Sequence, residues 1–228
     1  MNSTEDADAV HEYASPPCFL HEIDPAYAGL PPAASQMTDP NVMRWRKGER
    51  ERLLALRMNL DQATRGRYSD RIAEALDTVV GDPTDLVVSS YWPFRGEPDL
   101  RPWMEWLGGR GGSGALPVVV EKRAPMIFRI WRQGEPLERG VWNIPIPAAG
   151  SEVIPDVVIA PVVGFDRAGY RLGYGGGFFD RTLAALPKRP RIIGVGYGQA
   201  EIPTIHPMQH DIPMDTIVTE NEVIGFPR

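Results

Sequence analysis

The sequence predicts a three-layer α/β fold, with a largely parallel central sheet flanked by helices. Three observations carry this. Short apolar runs rich in β-branched residues alternate with longer segments whose apolar residues recur at helical spacing, the pattern of parallel strands joined by crossover helices. The stretch from Asp156 to Arg181 (DVVIAPVVGFDRAGYRLGYGGGFFDR) compresses one such unit into a strand, a loop with five glycines from Gly169 to Gly177 and a helix start. A length of 228 residues with 43% apolar content supplies one sizeable core, or one core with an extension.

Taken in order, residues 1–40 differ from the rest. They hold seven acids (Glu5, Asp6, Asp8, Glu12, Glu22, Asp24 and Asp39) and neither lysine nor arginine, so the remainder of a chain of net charge -6 sums to about +1. Rich in Pro and Ala, this segment reads as a solvated or loosely docked extension. If it packs across the body, Phe19, Leu20, Ile23, Tyr27 and Leu30 are its anchors. Residues 41–228 form the single domain.

Val42 to Leu60 reads as a helix with Leu53, Leu56 and Leu60 on its apolar face. The arginines crowding it (Arg44, Arg46, Arg50, Arg52, Arg57) with Lys47 read mainly as a solvated face, one or two being placed to reach a phosphate. Asp61 caps a second helix, to about Val80, that buries Ile72, Leu76 and Val79 and stops at Gly81-Asp82-Pro83. Leu86 to Tyr91 is a strand running into a loop where Glu97 stands alone between Gly96 and Pro98. Asp99 is the expected cap of a helix carrying Leu100, Trp103, Met104 and Leu107. Strands follow at Ala115–Val120 and Met126–Trp131, and a Pro-rich connection contains Trp142. Then come the strand Val157–Ala160, the glycine loop, a helix from Phe178 to Leu186, and strands at Arg191–Tyr197 and Thr216–Thr219. Ligands of such sheets sit beyond the carboxyl ends of the strands, so Glu97, the glycine loop and Gly198–His210 should converge on one cleft.

Composition narrows the function classes. A net charge of -6 without a basic block argues against nucleic acid. One cysteine, Cys18, permits no internal disulfide. Without a signal-like start or an apolar run of about 20 residues, a cytoplasmic enzyme with no membrane contact is expected. A monomer is the expectation for its assembly. The glycine loop is neither G-x-x-x-x-G-K-[ST] nor G-x-G-x-x-G, because Gly173, Gly175 and Gly177 are spaced differently. Its backbone N–H groups and the following helix start suit a phosphate, while a tight turn needing positive φ explains the same glycines. Arg171 and Arg181 are placed to pair with that phosphate, or with Asp166 and Asp180. Asp180 reads as a metal ligand or as a helix-start acid favoured by the dipole, and Asp211 or Asp215 as a second ligand or a surface acid. Pro207 breaks the helix that His206 and His210 would need to hold zinc. Trp142 is core filler or a stacking surface for a flat heterocycle.

The segment Arg171–Arg181 (RLGYGGGFFDR) resembles the signature of the 5-formyltetrahydrofolate cyclo-ligase family. Tyr91–Leu100 (YWPFRGEPDL), Trp142–Pro145 (WNIP) and Asp211–Thr219 (DIPMDTIVT) are similar to further segments of that family, in the same order, over about residues 42–220. The resemblance implies a Rossmann-like fold and the ATP- and Mg2+-dependent conversion of 5-formyltetrahydrofolate to 5,10-methenyltetrahydrofolate. It further implies that Glu97, Trp142 and Tyr174 bind folate. Arg46, Arg50, Arg171 and the loop Gly173, Tyr174, Gly175, Gly176, Gly177, Phe178 and Phe179 would bind ATP, with Asp180 and Asp215 holding Mg2+. No protein nucleophile is implied. The family pattern often has lysine where this chain has Gly176, and lysine where it has Arg46. A non-catalytic or altered-specificity relative binding folate or nucleotide is the alternative.

Overall fold

The computed structural model describes residues 40–227, so the acidic extension and Cys18 lie outside the described residues. Helix α1 (Pro40–Met58) opens on a proline, whose missing N–H costs nothing in a first turn. Helix α2 (Gln62–Val80) is capped by Asp61, whose carboxylate accepts the Thr64 N–H at 2.8 Å, and stops at Gly81, which turns the chain with φ of 78°. Strand β1 (Val87–Ser89) leads through the Glu97 loop to α3 (Arg101–Gly109). Asp99 is not the cap of α3. Leu100 holds that place, and Asp99 accepts the Arg101 N–H at 3.1 Å from one position outside it.

Strands β2 (Ser113–Val118) and β3 (Ile127–Ile130) are followed by the short pair β4 (Leu137–Arg139) and β5 (Pro145–Pro147), and by β6 (Glu152–Val153). The central strand β7 (Val157–Pro161) does not run straight into the glycine loop. A two-stranded hairpin, β8 (Gly164–Phe165) and β9 (Arg171–Leu172), intervenes, and Gly169 belongs to its turn. The glycine loop proper is therefore Gly173–Gly177, leading into α4 (Phe178–Ala185). Strands β10 (Arg191–Val195), β11 (Thr216–Val218) and β12 (Val223–Gly225) complete the fold.

The main sheet has the order β12-β11-β10-β7-β1-β2-β3-β6. The five strands from β11 to β2 are parallel, and β12, β3 and β6 are antiparallel at the edges. Alternation along each strand sorts the core into two layers. Val157, Ile159, Ile193, Val195 and Val218 pack under α2 and α3, against Ile72, Leu76, Trp103, Met104 and Leu107. Val158, Ala160, Ile192 and Ile217 face the other way, onto Leu183 of α4. The three-layer expectation therefore holds, with helices on both faces.

Helix α1 belongs to neither layer. Leu53 packs on Val163, Leu172, Ile202 and Ile205, which lie past the carboxyl ends of β7 and β10. The buried face of α1 is Arg46, Arg50, Leu53 and Arg57, a stripe at i, i+4, i+7 and i+11. Leu56, expected inside, is 38% exposed. Counting only apolar residues misplaced the face, because three of its four buried positions are arginines. Leu53→Ala is expected to destabilise the protein by about 2–5 kcal/mol in urea unfolding, and to loosen α1 first, since this is its one fully buried apolar side chain.

Candidate active site

The carboxyl edge of the sheet is built around the arginine face of α1. Arg46 donates to the carbonyls of Ile205 and His206, each at 2.9 Å, and is ion-paired with Asp211. It thereby pins the loop before β11 to the helix. Arg50 donates to the Gly173 carbonyl at 2.8 Å. Burial and the neighbouring Arg46 charge lower its pKa to about 10, against the opposing pull of Asp211. Arg57 reaches furthest in, donating to Arg95 O (3.0 Å), Val162 O (3.3 Å) and the Tyr174 hydroxyl.

Glu97 comes from the other side, at the end of the loop after β1. Its side chain is 3% exposed. Oε2 accepts the Phe94 N–H and Oε1 the Tyr174 hydroxyl, both at 2.9 Å, and Arg57 lies 3.9 Å away. Burial raises the carboxyl pKa, opposed in order by the Arg57 charge, the Phe94 N–H and the Tyr174 hydroxyl. Burial also pushes the Tyr174 phenol up, with the Glu97 charge adding to it, so the hydroxyl keeps its proton and donates. A hydrogen-bonded relay runs from Arg57 through Tyr174 to Glu97. Tyr174 is also a residue of the glycine loop, so the relay joins that loop to the acid.

The loop is flanked by cations without full partners. Arg171 is 6% exposed; its Nη2 is ion-paired with Asp180 Oδ1 at 3.0 Å, while its buried Nε forms no hydrogen bond. Arg181 reaches back from α4 toward the Gly176 carbonyl at 3.5 Å and leaves a buried Nη1 unpaired. Buried guanidinium N–H groups without acceptors are costly, and an anion at the loop would satisfy them. Gly177 adopts the left-handed region at φ of 62°, as the turn reading of the glycines requires. At Gly176 a Cβ would fall 2.9 Å from the Phe178 ring, so the cations beside the loop come from Arg171 and Arg181 rather than from this position. Trp142 stands edge-on to Phe178 at 5.7 Å and is 38% exposed. Trp142 and Asn143 both take left-handed backbone, φ 56° and 59°. For tryptophan that costs on the order of 1–2 kcal/mol, and it turns the indole toward the loop instead of into a core.

Of the acids, Asp180 is at the loop, where Oδ1 takes the Ile212 N–H at 3.2 Å beside Arg171. Asp215 is placed differently. It precedes β11, and its carboxylate accepts the Ile192 N–H at 2.7 Å and Arg189 at 3.0 Å. Asp156 does the same before β7, accepting the Val87 N–H at 3.1 Å. Both acids tie neighbouring parallel strands together at their amino ends, away from the edge that carries Glu97. Asp211 is engaged by Arg46 and the Met208 N–H, and Asp166 by the N–H groups of Ala168, Tyr170 and Ile205. Arg171 thus pairs with Asp180 and not with Asp166. The structure brings together Glu97, Tyr174, Arg50, Arg171, Trp142, Asp180 and the glycine loop; Arg46 is spent on a neighbouring loop and Asp215 stays apart. Arg57 is the residue that sequence reasoning passed over, and its one signal was the seven-residue step from Arg50 along the same helix face.

The Glu97 shift has a stability consequence with a definite sign. A carboxyl whose folded pKa is raised favours the fold fully below its unfolded value of about 4.5 and loses that advantage as pH rises through the folded value. Urea midpoints of wild type and Glu97→Gln, followed from pH 4 upward, should therefore diverge in favour of the glutamine variant as pH increases.

A sequence model of the 5-formyltetrahydrofolate cyclo-ligase family matches residues 42–220. The 5-formyltetrahydrofolate cyclo-ligase of Escherichia coli (strain K12) is 32% identical over 143 residues, spanning 60% of this chain and 79% of that protein. The enzyme of the same name from Mycolicibacterium smegmatis is 31% identical over 140 residues, 58% of this chain and 72% of the other. Among solved structures, the NMR structure of Aquifex aeolicus 5,10-methenyltetrahydrofolate synthetase superposes with a TM-score of 0.69 at 28% identity, covering 79% of this chain and 92% of that one. The Mycoplasma pneumoniae 5,10-methenyltetrahydrofolate synthetase shares the fold, with a TM-score of 0.64 at 20% identity over 77% and 98% of the two chains. A site built on a glycine loop, unsatisfied arginines and a buried glutamate thus sits in a chain that belongs to the 5-formyltetrahydrofolate cyclo-ligase family.

Proposed function

We propose that the protein cyclises 5-formyltetrahydrofolate to 5,10-methenyltetrahydrofolate at the expense of ATP, releasing ADP and phosphate. The observation that carries this reading is the pair of buried, unsatisfied guanidinium nitrogens, Nε of Arg171 and Nη1 of Arg181, beside a glycine loop whose Tyr174 is hydrogen-bonded to Glu97. One cleft then offers an anion site and an acceptor-bearing pocket side by side.

A formamide carbonyl is a poor electrophile. Transfer of the γ-phosphoryl group to the formyl oxygen makes that oxygen a leaving group. The N10 amine attacks the formyl carbon, the five-membered ring closes, and phosphate departs with the formyl oxygen while N10 gives up its proton. Both reacting centres belong to the substrates, so the protein's task is positioning and neutralisation of charge. Arg50, Arg171, Arg181 and the N–H groups of Gly173–Gly177 hold the phosphates. Glu97 accepts N–H groups of the reduced pterin, and Trp142 offers a ring face to it.

The donor set fits Mg2+ through one carboxylate. This ion commonly keeps several waters and takes one or two acids together with substrate phosphates. Asp180 stands at the loop and meets both Arg171 and the Ile212 N–H through Oδ1, whereas Asp215 engages both of its oxygens, with Arg189 and Ile192, so we assign the metal to Asp180. Held by Asp180, Mg2+ would supply neutralisation of charge on the substrate phosphates. Among the described residues no helix is long and apolar enough to cross a membrane; we read the protein as a monomer acting in the cytoplasm.

The test is the near-ultraviolet absorbance of the conjugated methenyl product. Protein, 5-formyltetrahydrofolate and MgATP together should give a rise that omission of any one abolishes; folded protein that gives none would sink the reading. Asp180→Ala should lower kcat about 10²-fold or more at saturating MgATP. Arg171→Ala should raise the Kd of ATP by about tenfold or more in calorimetry, and an unchanged Kd would remove that arginine from the phosphate site.

A further inference from the structure

Arg57 is buried at 4% exposure where three segments meet, and each guanidinium nitrogen donates to a different one. Nε serves the Glu97 loop at Arg95 O, Nη1 serves the end of β7 at Val162 O, and Nη2 serves Tyr174 of the glycine loop. Its charge lies 3.9 Å from Glu97 Oε1, and the guanidinium carbon stands 5.6 Å from the centre of the Tyr174 ring. The charged and titratable groups around Glu97 are few. Arg57 faces it from α1, Tyr174 from the glycine loop, Tyr91 from the end of β1 and Tyr197 from the end of β10, while Arg65 of α2 lies beside Gly96. The three tyrosine phenols are neutral, so Arg57 is the cation that opposes the cost of burying a carboxylate here.

We propose that Arg57 is a positioning residue of the cyclisation reaction, one that fixes the charge and the direction of Glu97 and holds Tyr174 turned toward it. The inference rests on the reading of Glu97 as the folate-facing acid. A carboxylate accepts hydrogen bonds with both oxygens and matches the N–H groups along one edge of a reduced pterin. A protonated acid presents an O–H to those donors and repels one of them. Without a cation in this dry pocket, desolvation is opposed only by the Phe94 N–H and the Tyr174 hydroxyl, and the acid takes up a proton at higher pH. The three-way fork is as necessary as the charge. A lysine carries the charge on a flexible stem and cannot donate in plane to three separated oxygens.

The experiment separates charge from position. Carboxyl-13C glutamate is incorporated into the full-length ligand-free protein, the Glu97 resonance is assigned by its loss in Glu97→Gln, and its titration midpoint is measured in wild type, Arg57→Met and Arg57→Lys. Arg57→Met should raise the midpoint by about one pH unit or more. Arg57→Lys should keep it near wild type while raising the KM for 5-formyltetrahydrofolate by about tenfold, with a smaller change for ATP. In Arg57→Met the acidic limb of kcat/KM for folate should move up with the midpoint. An unchanged midpoint in Arg57→Met, or an unchanged folate KM in Arg57→Lys, overturns the proposal. If Arg57→Met loses its near-ultraviolet circular dichroism, Tyr174→Phe replaces it. That variant should also raise the midpoint, and an unmoved value overturns the relay. A wild-type protein that makes no methenyl product defeats the reading of function, yet the titration still decides what Arg57 does to Glu97.

Discussion

Burying three guanidinium groups on one face of a single helix is tolerable only if each nitrogen finds an acceptor or an opposite charge. That requirement organises the carboxyl edge of this fold. Arg46, Arg50 and Arg57 must be met by backbone carbonyls and acids, and the places where a parallel sheet leaves carbonyls unpaired are the ends of its strands. Ile205 and His206 meet the first, Gly173 the second, Arg95 and Val162 the third. The helix therefore draws together four segments remote in sequence, and the edge they form carries the candidate site. Loop conformation, helix orientation and the pairing of Tyr174 with Glu97 all follow from the same need for acceptors.

The magnitudes agree with this order of importance. A fully buried aliphatic side chain contributes roughly 1.5–3 kcal/mol, and α1 has one, Leu53. Its arginines make five hydrogen bonds to backbone carbonyls and two polar contacts to side chains, Asp211 and Tyr174, each bond to a charged group worth about 1.5–3 kcal/mol net. Helices α2 and α3 are held the opposite way, by Ile72, Leu76, Trp103, Met104 and Leu107 against the sheet. The scaffold is apolar and the site-forming element is polar. The arginines can thus line the candidate site without undermining the core.

Periodicity made the scaffold legible. Strands such as Val157–Pro161 and Arg191–Val195 are short β-branched runs, and α2 carries its apolar face and its Asp61 cap in plain view. The hairpin β8–β9 was not legible, because two-residue strands separated by Asp166–Tyr170 have no periodicity and their turn glycine merges with the loop glycines. The face of α1 was misread for a related reason. Arginine is ordinarily a surface residue, and nothing local says that carbonyls from 38 to 160 positions away will arrive to cover it. The candidate site was legible as a grouping: Glu97, Tyr174, Arg171 and Asp180 gather at the expected edge. Asp215, which the resemblance implies as a metal ligand, bridges β10 and β11, and that contact depends on a register that only the assembled sheet defines.

The attachment of α1 has a consequence for how the protein loses order. A segment held largely by hydrogen bonds, at the chain-terminal side of the described fold, can detach without exposing the sheet core, so its opening should cost less than global unfolding. Detachment would carry Arg50 and Arg57 out of the cleft together and free both Gly173 and Tyr174. Inactivation would then precede denaturation on heating, as a reversible sub-global step in which the sheet and both its helical layers remain folded.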